Sequence, residues 1–351
     1  MSTALRGLSQ CFLPDRSDAR RRSREIDAML KRDRQIPVVI LMAGFNKSGK
    51  TTFFKQMRLI NGAEYNQREV LEFREAIYDN IMKGMRVLVE ERNKLGIPLQ
   101  NSANERHEML CSSHDWCMKL EPCTFQPYVE AIDSLWKDSG IQEAHRRRSN
   151  FKFYESVKYF CDNIHRIGQL NYLPCNQDIL YAHTVGQQYC VLRDTPFMVA
   201  EFQSWRRHLF KTVSCLSSAV FFFIIGCSDY DQTDFEDNYL VGTLNTFECF
   251  CKNGFFRNCP FILFFNKMDL LAEKVQTADI QKHFPEFQGD PHRLEDVQEF
   301  LVQSFEKRKW DDSRQIFYHM TTAVDTENFQ KMFESVKDTI MGLILKNISL
   351  L

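Results

Sequence analysis

The sequence lacks an uninterrupted apolar run of about 18 residues, the length that an α-helix needs to cross a bilayer. It also lacks a large net charge, since 45 basic and 46 acidic residues leave a formal charge of −1. Bulk electrostatic affinity for nucleic acid is therefore excluded. The arginine-rich N-terminus has no apolar signal core, so we expect no secretion. What is present is an apolar fraction of 44% over 351 residues, enough for one or two domains with a core.

The twelve cysteines include no C-x-x-C pair, and their scatter favours reduced thiols, several of them in the core. One cluster leaves a metal site open as an alternative, because Cys111-x-x-His114-x-x-Cys117 could reach a single ion, with His107 and Cys123 nearby. The spacing is not that of a standard zinc ligand set. We therefore expect ordinary helix or loop thiols there and keep metal binding as the second interpretation.

A phosphate-binding pattern follows the first apolar stretch. The run from Val38 to Ala43 is followed by GFNKSGKT, from Gly44 to Thr51, which fits the P-loop pattern G-x-x-x-x-G-K-[ST]. The run predicts a buried strand, and the glycines let backbone N–H groups turn toward phosphate oxygens. A helix beginning near Lys50 would point its positive end at the same phosphates. We expect Lys50 to reach the β- and γ-phosphates and the Thr51 hydroxyl to ligate magnesium.

A second pattern predicts which base is bound. Phe261 to Phe265 reads as another buried strand, and Asn266-Lys267-Met268-Asp269 follows at its carboxyl end. The Asp269 carboxylate can accept two hydrogen bonds from the N1–H and exocyclic amine of guanine, a pair of donors that adenine lacks. Asn266 could hold the loop and the base edge, and the Lys267 stem could lie along the ring. The sequence therefore predicts a guanine-nucleotide site.

The distribution of helical and strand patterns predicts the fold. Between the P-loop helix and about residue 178 only helical patterns occur, which predicts an inserted all-helical domain. Strand patterns return afterwards and alternate with helices, so they predict a parallel α/β sheet. The later strand patterns lie at 197–199, 219–225, 261–265 and 315–320. The predicted division is an N-terminal basic arm at 1–36, a nucleotide-binding domain at 37–63 and 181–351, and a helical domain at 64–180.

The N-terminal segment predicts a surface-binding arm or a solvated helix. Residues 16–34 carry many arginines and a thin apolar stripe, as a basic amphipathic helix does. The helix would either be solvated or face a membrane or a partner. Cys11 beside it suits thioacylation, whereas no glycine follows Met1, so we expect no myristoylation.

The chain resembles heterotrimeric G-protein α subunits, most closely the Rho-coupled twelve/thirteen class, over nearly its whole length. The stretches that carry the resemblance include KQMR at 55–58, GMRVLV at 84–89, KLGIP at 94–98, WKDSGIQE at 136–143, RIGQLNY at 166–172, DPHRLEDVQ at 290–298 and TTAVDTEN at 321–328. The resemblance implies a Ras-like P-loop GTPase domain with an inserted helical domain, which binds GTP, GDP and Mg²⁺.

The resemblance also implies partners and a location. These are a βγ dimer, a G-protein-coupled receptor that reads the tail Lys346 to Leu351, effectors of the RhoGEF type, and the cytoplasmic face of the plasma membrane, with palmitate on Cys11. No nucleic-acid partner is expected. The residues carried over to the nucleotide site are Lys47, Ser48, Gly49, Lys50, Thr51 and Thr52 in the phosphate loop, Ser156 near the phosphates, Asn266, Lys267 and Asp269 at the guanine, and Ala323, whose backbone N–H would meet the guanine O6.

The hydrolytic groups of the family are not matched. His183 stands where the family has its catalytic arginine, and Gly186 stands where it has a magnesium-binding threonine. The switch II stretch from Val199 to Ser204 reads VAEFQS, without the Asp-Val-Gly-Gly-Gln of the family. In the P-loop, Phe45 and Asn46 replace the family's alanine and glycine.

These departures predict that GTP hydrolysis is weak or lost and that Mg²⁺ is weakly held. Lys47, which replaces a glutamate of the family, would then either substitute in part for the metal or point into water. Two functions stay open: a signalling switch that cycles between GTP and GDP, and a pseudo-GTPase adaptor that binds nucleotide for stability. A P-loop kinase or ATPase is disfavoured by the Asn-Lys-Met-Asp sequence.

Overall fold

A computed structural model describes residues 38–45, 47–62, 64–113, 119–148, 151, 153–184, 189–191, 197–201, 219–234, 237–257, 259–311 and 314–349. Two lobes are visible in this part of the chain. One is built around a mixed sheet, and the other consists of helices between residues 67 and 181. Among the described residues, no helix is both long enough and apolar enough to pass through a bilayer. The predicted N-terminal arm, Cys11 included, lies outside the described residues.

The central sheet has the strand order β2-β3-β1-β4-β7-β8. Its pairs are parallel except for β2 with β3, which is antiparallel. The strands are β1 (Val38–Gly44), β2 (Tyr189–Val191), β3 (Phe197–Glu201), β4 (Ala219–Gly226), β7 (Phe261–Asn266) and β8 (Ile316–Met320), with β5 (Thr233–Asp234) and β6 (Asp237–Asn238) forming a separate short hairpin. Sequence patterns missed β2, β5 and β6, because two or three residues are too few to show a period.

Helices cover both faces of the sheet and form the second lobe. In the helical lobe they are α2 (Gln67–Lys94), α3 (Glu105–Ser112), α4 (Pro122–Lys137), α5 (Ser139–Arg146), α6 (Ser156–Asp162), α7 (Ile164–Ile167) and α8 (Asn176–Tyr181). Around the sheet they are α1 (Lys50–Ile60), α9 (Tyr239–Lys252), α10 (Met268–Lys274), α11 (Leu294–Glu306) and α12 (Thr326–Ser349). The tail predicted to meet a receptor begins in α12, and its last two residues lie outside the described part.

The two central strands β4 and β7 explain why the sheet is covered on both faces. Their sequences AVFFFIIG and FILFFN are apolar at nearly every position, as expected for parallel strands with helices on each side. Side chains such as Phe221 and Phe223 pack toward α9 and α11, whereas Phe222 and Phe264 pack toward α1 and α12. Since the polar loops can only emerge at the strand ends, the site is placed at the carboxyl edge.

The helical lobe has a core of its own, centred on α2. Tyr78 of α2 stacks on Phe125 of α4 with ring centroids 4.1 Å apart, and the lobe's buried side chains form one contiguous cluster. Sequence patterns indicated only helix in this region, but α6 begins at Ser156, so Phe153 packs into the core of the helical lobe ahead of the helix while Tyr154 stays exposed. That difference places Tyr154 beside the candidate site.

His145 is a polar residue inside this helical core. Its ring lies edge-on to Trp136 and Phe153, with centroids 5.1 and 5.6 Å away, and only 6% of the residue is exposed. Burial, together with the positive charges of Arg148 and Lys158, lowers the pKa of His145 to about 4. No described residue hydrogen-bonds to its Nε2.

We expect His145→Phe to remove a pH-dependent loss of stability. Because an unfolded histidine has a pKa of about 6.5, the unfolded chain takes up a proton first, and stability falls as the pH drops from about 6.5 toward 4. The full linkage is about 3 kcal/mol, of which about 1 kcal/mol is lost by pH 5.5. Urea unfolding at pH 7.5 and 5.5 measures it. The exposed-site control His165→Gln should keep the wild-type pH dependence, and an unchanged dependence in His145→Phe would contradict the assignment.

Candidate functional site

The P-loop joins β1 to α1 in a backbone conformation that needs glycine at two places. Gly49 has φ +95°, and a Cβ there would lie 2.3 Å from Asn266 Nδ2. A Cβ on Gly44 would lie 2.3 Å from the carbonyl oxygen of Ile224 in β4. Lys47 also has positive φ, at 60°. The loop is therefore packed closely against the ends of β4 and β7, which explains why these two positions need glycine.

Lys50, the first residue of α1, folds back over the loop. Its ammonium donates hydrogen bonds to the carbonyl oxygens of Gly44 and Phe45, at 3.1 and 2.9 Å. Thr51 follows and is exposed, while the Thr52 hydroxyl donates to the carbonyl of Leu180 at 3.4 Å. The Lys50 ammonium and the exposed Thr51 therefore lie at the N-terminus of one helix, an arrangement that suits an anionic group.

Asn266 connects three segments of the sheet lobe. It is 2% exposed, its Nδ2 donates to the carbonyl of Ser48 at 3.0 Å, and its Oδ1 accepts from the backbone N–H of Ala323 at 3.0 Å. One carboxamide therefore holds the phosphate loop, the end of β7 and the loop after β8 at fixed spacing. Those are the three segments to which sequence reasoning assigned the phosphates, the base edge and the guanine O6.

The two charged residues after Asn266 are positioned differently. Lys267 has φ 66°, and its ammonium pairs with both carboxylate oxygens of Asp229 at 2.9 and 3.0 Å. Asp269 lies in the first turn of α10 and lines the cleft. Burial raises the pKa of Asp269, so donors that stabilise its carboxylate would be favourable partners. Asp229 was not found from sequence, because it is 38 residues away from Lys267.

A cavity of about 710 Å³ lies between the two lobes. From the sheet lobe it is lined by the phosphate loop, the Asn266–Asp269 segment and Ala323, and from the helical lobe by Ser156 and its neighbours. The sequence-predicted site residues found on its walls are Lys47, Gly49, Lys50, Thr51, Thr52, Ser156, Asn266, Lys267, Asp269 and Ala323. Ser48 lies buried beneath the loop. The volume suits a nucleotide-sized ligand.

His183 lines the same cavity but is attached to the helical lobe. Its backbone N–H donates to Asn80 Oδ1 at 2.6 Å, and Asn80 Nδ2 donates back to its carbonyl at 3.1 Å. Its ring lies edge-on to Tyr154, with centroids 4.4 Å apart. Burial lowers the pKa of His183, and the positive charges of Lys55 and Lys47 lower it further. These effects favour the neutral imidazole over the charged imidazolium.

Lys55 of the sheet lobe binds the segment 179–183, the interdomain linker that ends at His183. Sequence reasoning gave Lys55 no role. Its ammonium is buried on α1 and donates to the carbonyl oxygens of Ile179 and Ala182 at 2.9 and 2.5 Å. Burial lowers the pKa of Lys55 to about 7. Gly186, Asn46 and the switch II residues 202–218 lie outside the described residues.

The possible metal cluster is only partly described. Burial raises the pKa of the Cys111 thiol to about 12, and His107 Nδ1 lies 3.1 Å from Asn104 Oδ1. His114 and Cys117 fall outside the described residues. In the described part of the chain, no three His, Cys, Asp or Glu side chains come together as ligands for an ion. Cys123 is exposed.

Comparisons with known proteins match this arrangement. The family model described as "G-protein alpha subunit" matches residues 20–340. The human protein "Guanine nucleotide-binding protein subunit alpha-12" is 47% identical over 100% of both chains. Human "Guanine nucleotide-binding protein subunit alpha-13" is 40% identical over 98% of this chain and 97% of its own. A Caenorhabditis elegans "Guanine nucleotide-binding protein alpha-12 subunit" is 34% identical over 93% and 96%.

Proposed function

This chain belongs to the family of G-protein α subunits and is similar to its twelve/thirteen class, and from that premise we propose that it binds GDP and GTP in the cavity between its lobes. Members of the family bind guanine nucleotides and couple to receptors and to βγ dimers. The fold is accordingly a Ras-like GTPase domain with a helical domain, which we place at residues 64–180. The observation that carries the nucleotide proposal is the Asn266 carboxamide, which sets the phosphate loop against the two predicted base-binding segments.

The test is isothermal titration of the purified chain with GDP, GTP and ADP. We expect guanosine ligands to bind at least about 100-fold more tightly than ADP, since a site built to pair with two donors leaves a buried carboxylate unpaired when they are missing. Equal affinities for GDP and ADP would refute the proposal.

The same titration in chelator tests how the metal is held. The described cavity offers Mg²⁺ the Thr51 hydroxyl and no group of three acidic ligands, which fits an ion held mainly by phosphate oxygens. Lys47 adds a positive charge at the loop. We therefore expect the affinity for GDP to fall less than about tenfold when magnesium is removed. A collapse of GDP binding in chelator would show that Lys47 does not offset the ion.

Signalling partners form the finer part of the proposal. We infer that a receptor binds the tail 346–351 and that the chain passes the signal to Rho-type effectors. We place this coupling at the cytoplasmic face of the plasma membrane, with Cys11 as the acylation site and βγ as a further partner. The support is the similarity to the alpha-12 and alpha-13 proteins. Binding of a RhoGEF domain in the GTP state, with loss of membrane fraction in Cys11→Ser, is the corresponding test.

A non-cycling adaptor is the second candidate, and the state of His183 favours it. The residue at the family's arginine position has a lowered pKa, so it lacks the permanent positive charge that an arginine would bring to a γ-phosphate. In that case GDP and a non-hydrolysable GTP analogue should give the same tryptic fragments. Different fragments would favour the switch.

A further inference from the structure

The two domains touch across the mouth of the cavity through an aromatic cluster. Lys47 of the phosphate loop places its ammonium 5.6 Å from the ring centroid of Tyr154 in the helical domain. It also lies 5.9 Å from the ring of Tyr239, at the start of α9 in the Ras-like domain. Both distances are within the range of a cation–π contact. One cation thus lies between a ring from each domain.

The Ras-like side of this cluster is rigidly packed. Phe45 meets Tyr239 edge-on, with centroids 5.6 Å apart, and a Cβ on Gly242 would lie 2.9 Å from the Phe45 ring. Tyr239 is 6% exposed. Phe45 therefore occupies space that is open only because residue 242 is glycine. Its edge-on contact holds the Tyr239 ring in place beneath the Lys47 ammonium.

The helical side is fixed by His183 and Asn80. The Tyr154 ring is 40% exposed, yet it meets His183 edge-on, and His183 is held to α2 by two backbone hydrogen bonds with Asn80. Tyr154 therefore contacts the phosphate loop on one side and the interdomain linker on the other. Lys47 stands where the family has a glutamate, and His183 stands where it has the catalytic arginine. Both side chains contact the Tyr154 ring.

Charge at the cavity rim does not itself draw the domains together. Burial raises the pKa of Asp269, and the negative charge of Glu155, which lines the same cavity next to Tyr154, adds a smaller part of the shift. Glu155 is paired within its own domain, with Arg148 at 2.8 Å. The hydrogen bonds of Lys55 and Thr52 already join the domains at one side of the cavity, and the Lys47–Tyr154 contact joins them at its mouth.

We propose that Lys47, Tyr154 and His183 form an aromatic clasp that holds the helical domain over a bound guanine nucleotide and sets its rate of release. The clasp rests on the proposed nucleotide binding. It assigns His183 a positioning role, and it makes Tyr154 the residue whose removal loosens the mouth of the cavity.

The test is the dissociation rate of a fluorescent GDP analogue chased with excess GDP. We expect Tyr154→Ala to release the analogue about 3- to 30-fold faster, the range that the one cation–π contact between the domains supports. Tyr154→Phe keeps the ring and should stay within about twofold of wild type. Tyr128→Ala, which removes a tyrosine of the same domain outside the cavity, is the matched control.

Amide hydrogen exchange separates failure of the clasp from failure of nucleotide binding. In the nucleotide-free chain, Tyr154→Ala should raise exchange in α6 and at residues 182–184, and Tyr154→Phe should not. If the wild type retains no guanine nucleotide, the proposed function fails while this comparison still tests the clasp. Wild-type release and wild-type exchange in Tyr154→Ala would overturn it.

Discussion

Single-turnover hydrolysis of GTP by this chain is expected to be about 10³–10⁵ slower than in an α subunit that carries the catalytic arginine. The magnitude is the one known for GTPases of this type, where an arginine stabilises the charge that develops on the transferred phosphoryl group. At 1.36 kcal/mol per decade it corresponds to about 4–7 kcal/mol of transition-state stabilisation. His183 cannot supply it in full, because burial lowers its pKa and disfavours the charged form, and because it lacks the bidentate guanidinium.

Release of radiolabelled phosphate from preloaded GTP measures the rate. His183→Arg should recover less than about tenfold, since its backbone stays bonded to Asn80 and the family's magnesium threonine is replaced by Gly186. An α-12 protein assayed beside it provides the reference rate. A wild-type rate within tenfold of that reference would show that another group has taken over the arginine's role.

The parts of the fold that sequence could predict are those coded locally. The apolar runs of β1, β4 and β7 predict buried parallel strands, and the glycine spacing before Lys50 predicts a phosphate loop. The family comparison confirms the resulting fold class. The resemblance was recognisable for the same reason, since short stretches of the chain carry it.

Long-range contacts could not be predicted in the same way. Lys55 bonds to carbonyls more than 120 residues away, and Asp229 pairs with Lys267, which lies 38 residues further along the chain. Nothing in the local pattern around Tyr154 indicates that its ring would meet Lys47, since the sequence there reads as part of a helix. Such contacts follow from how the two domains are placed, which depends on the whole chain.

Removing the Asn266 side chain is expected to have the second large effect. Asn266→Ala leaves the Ser48 carbonyl and the Ala323 N–H buried without their shared partner, at about 1–3 kcal/mol each. Because Asn266 and Ala323 line the cavity and Ser48 belongs to the phosphate loop, we expect the affinity for GDP to fall by at least about 100-fold, with part of the loss appearing as lower stability. Isothermal titration and urea unfolding of the same variant measure the two parts.

Asn61→Ala is the matched control for this change. Asn61 is also buried and also donates from its carboxamide to a backbone carbonyl, that of Met57, but it lies at the far end of α1. Its loss should lower stability and leave GDP affinity within about threefold. If the two variants reduced affinity equally, Asn266 would act only through general stability. If Asn266→Ala alone loses GDP, the spacing between phosphate loop and base segments is what the carboxamide maintains.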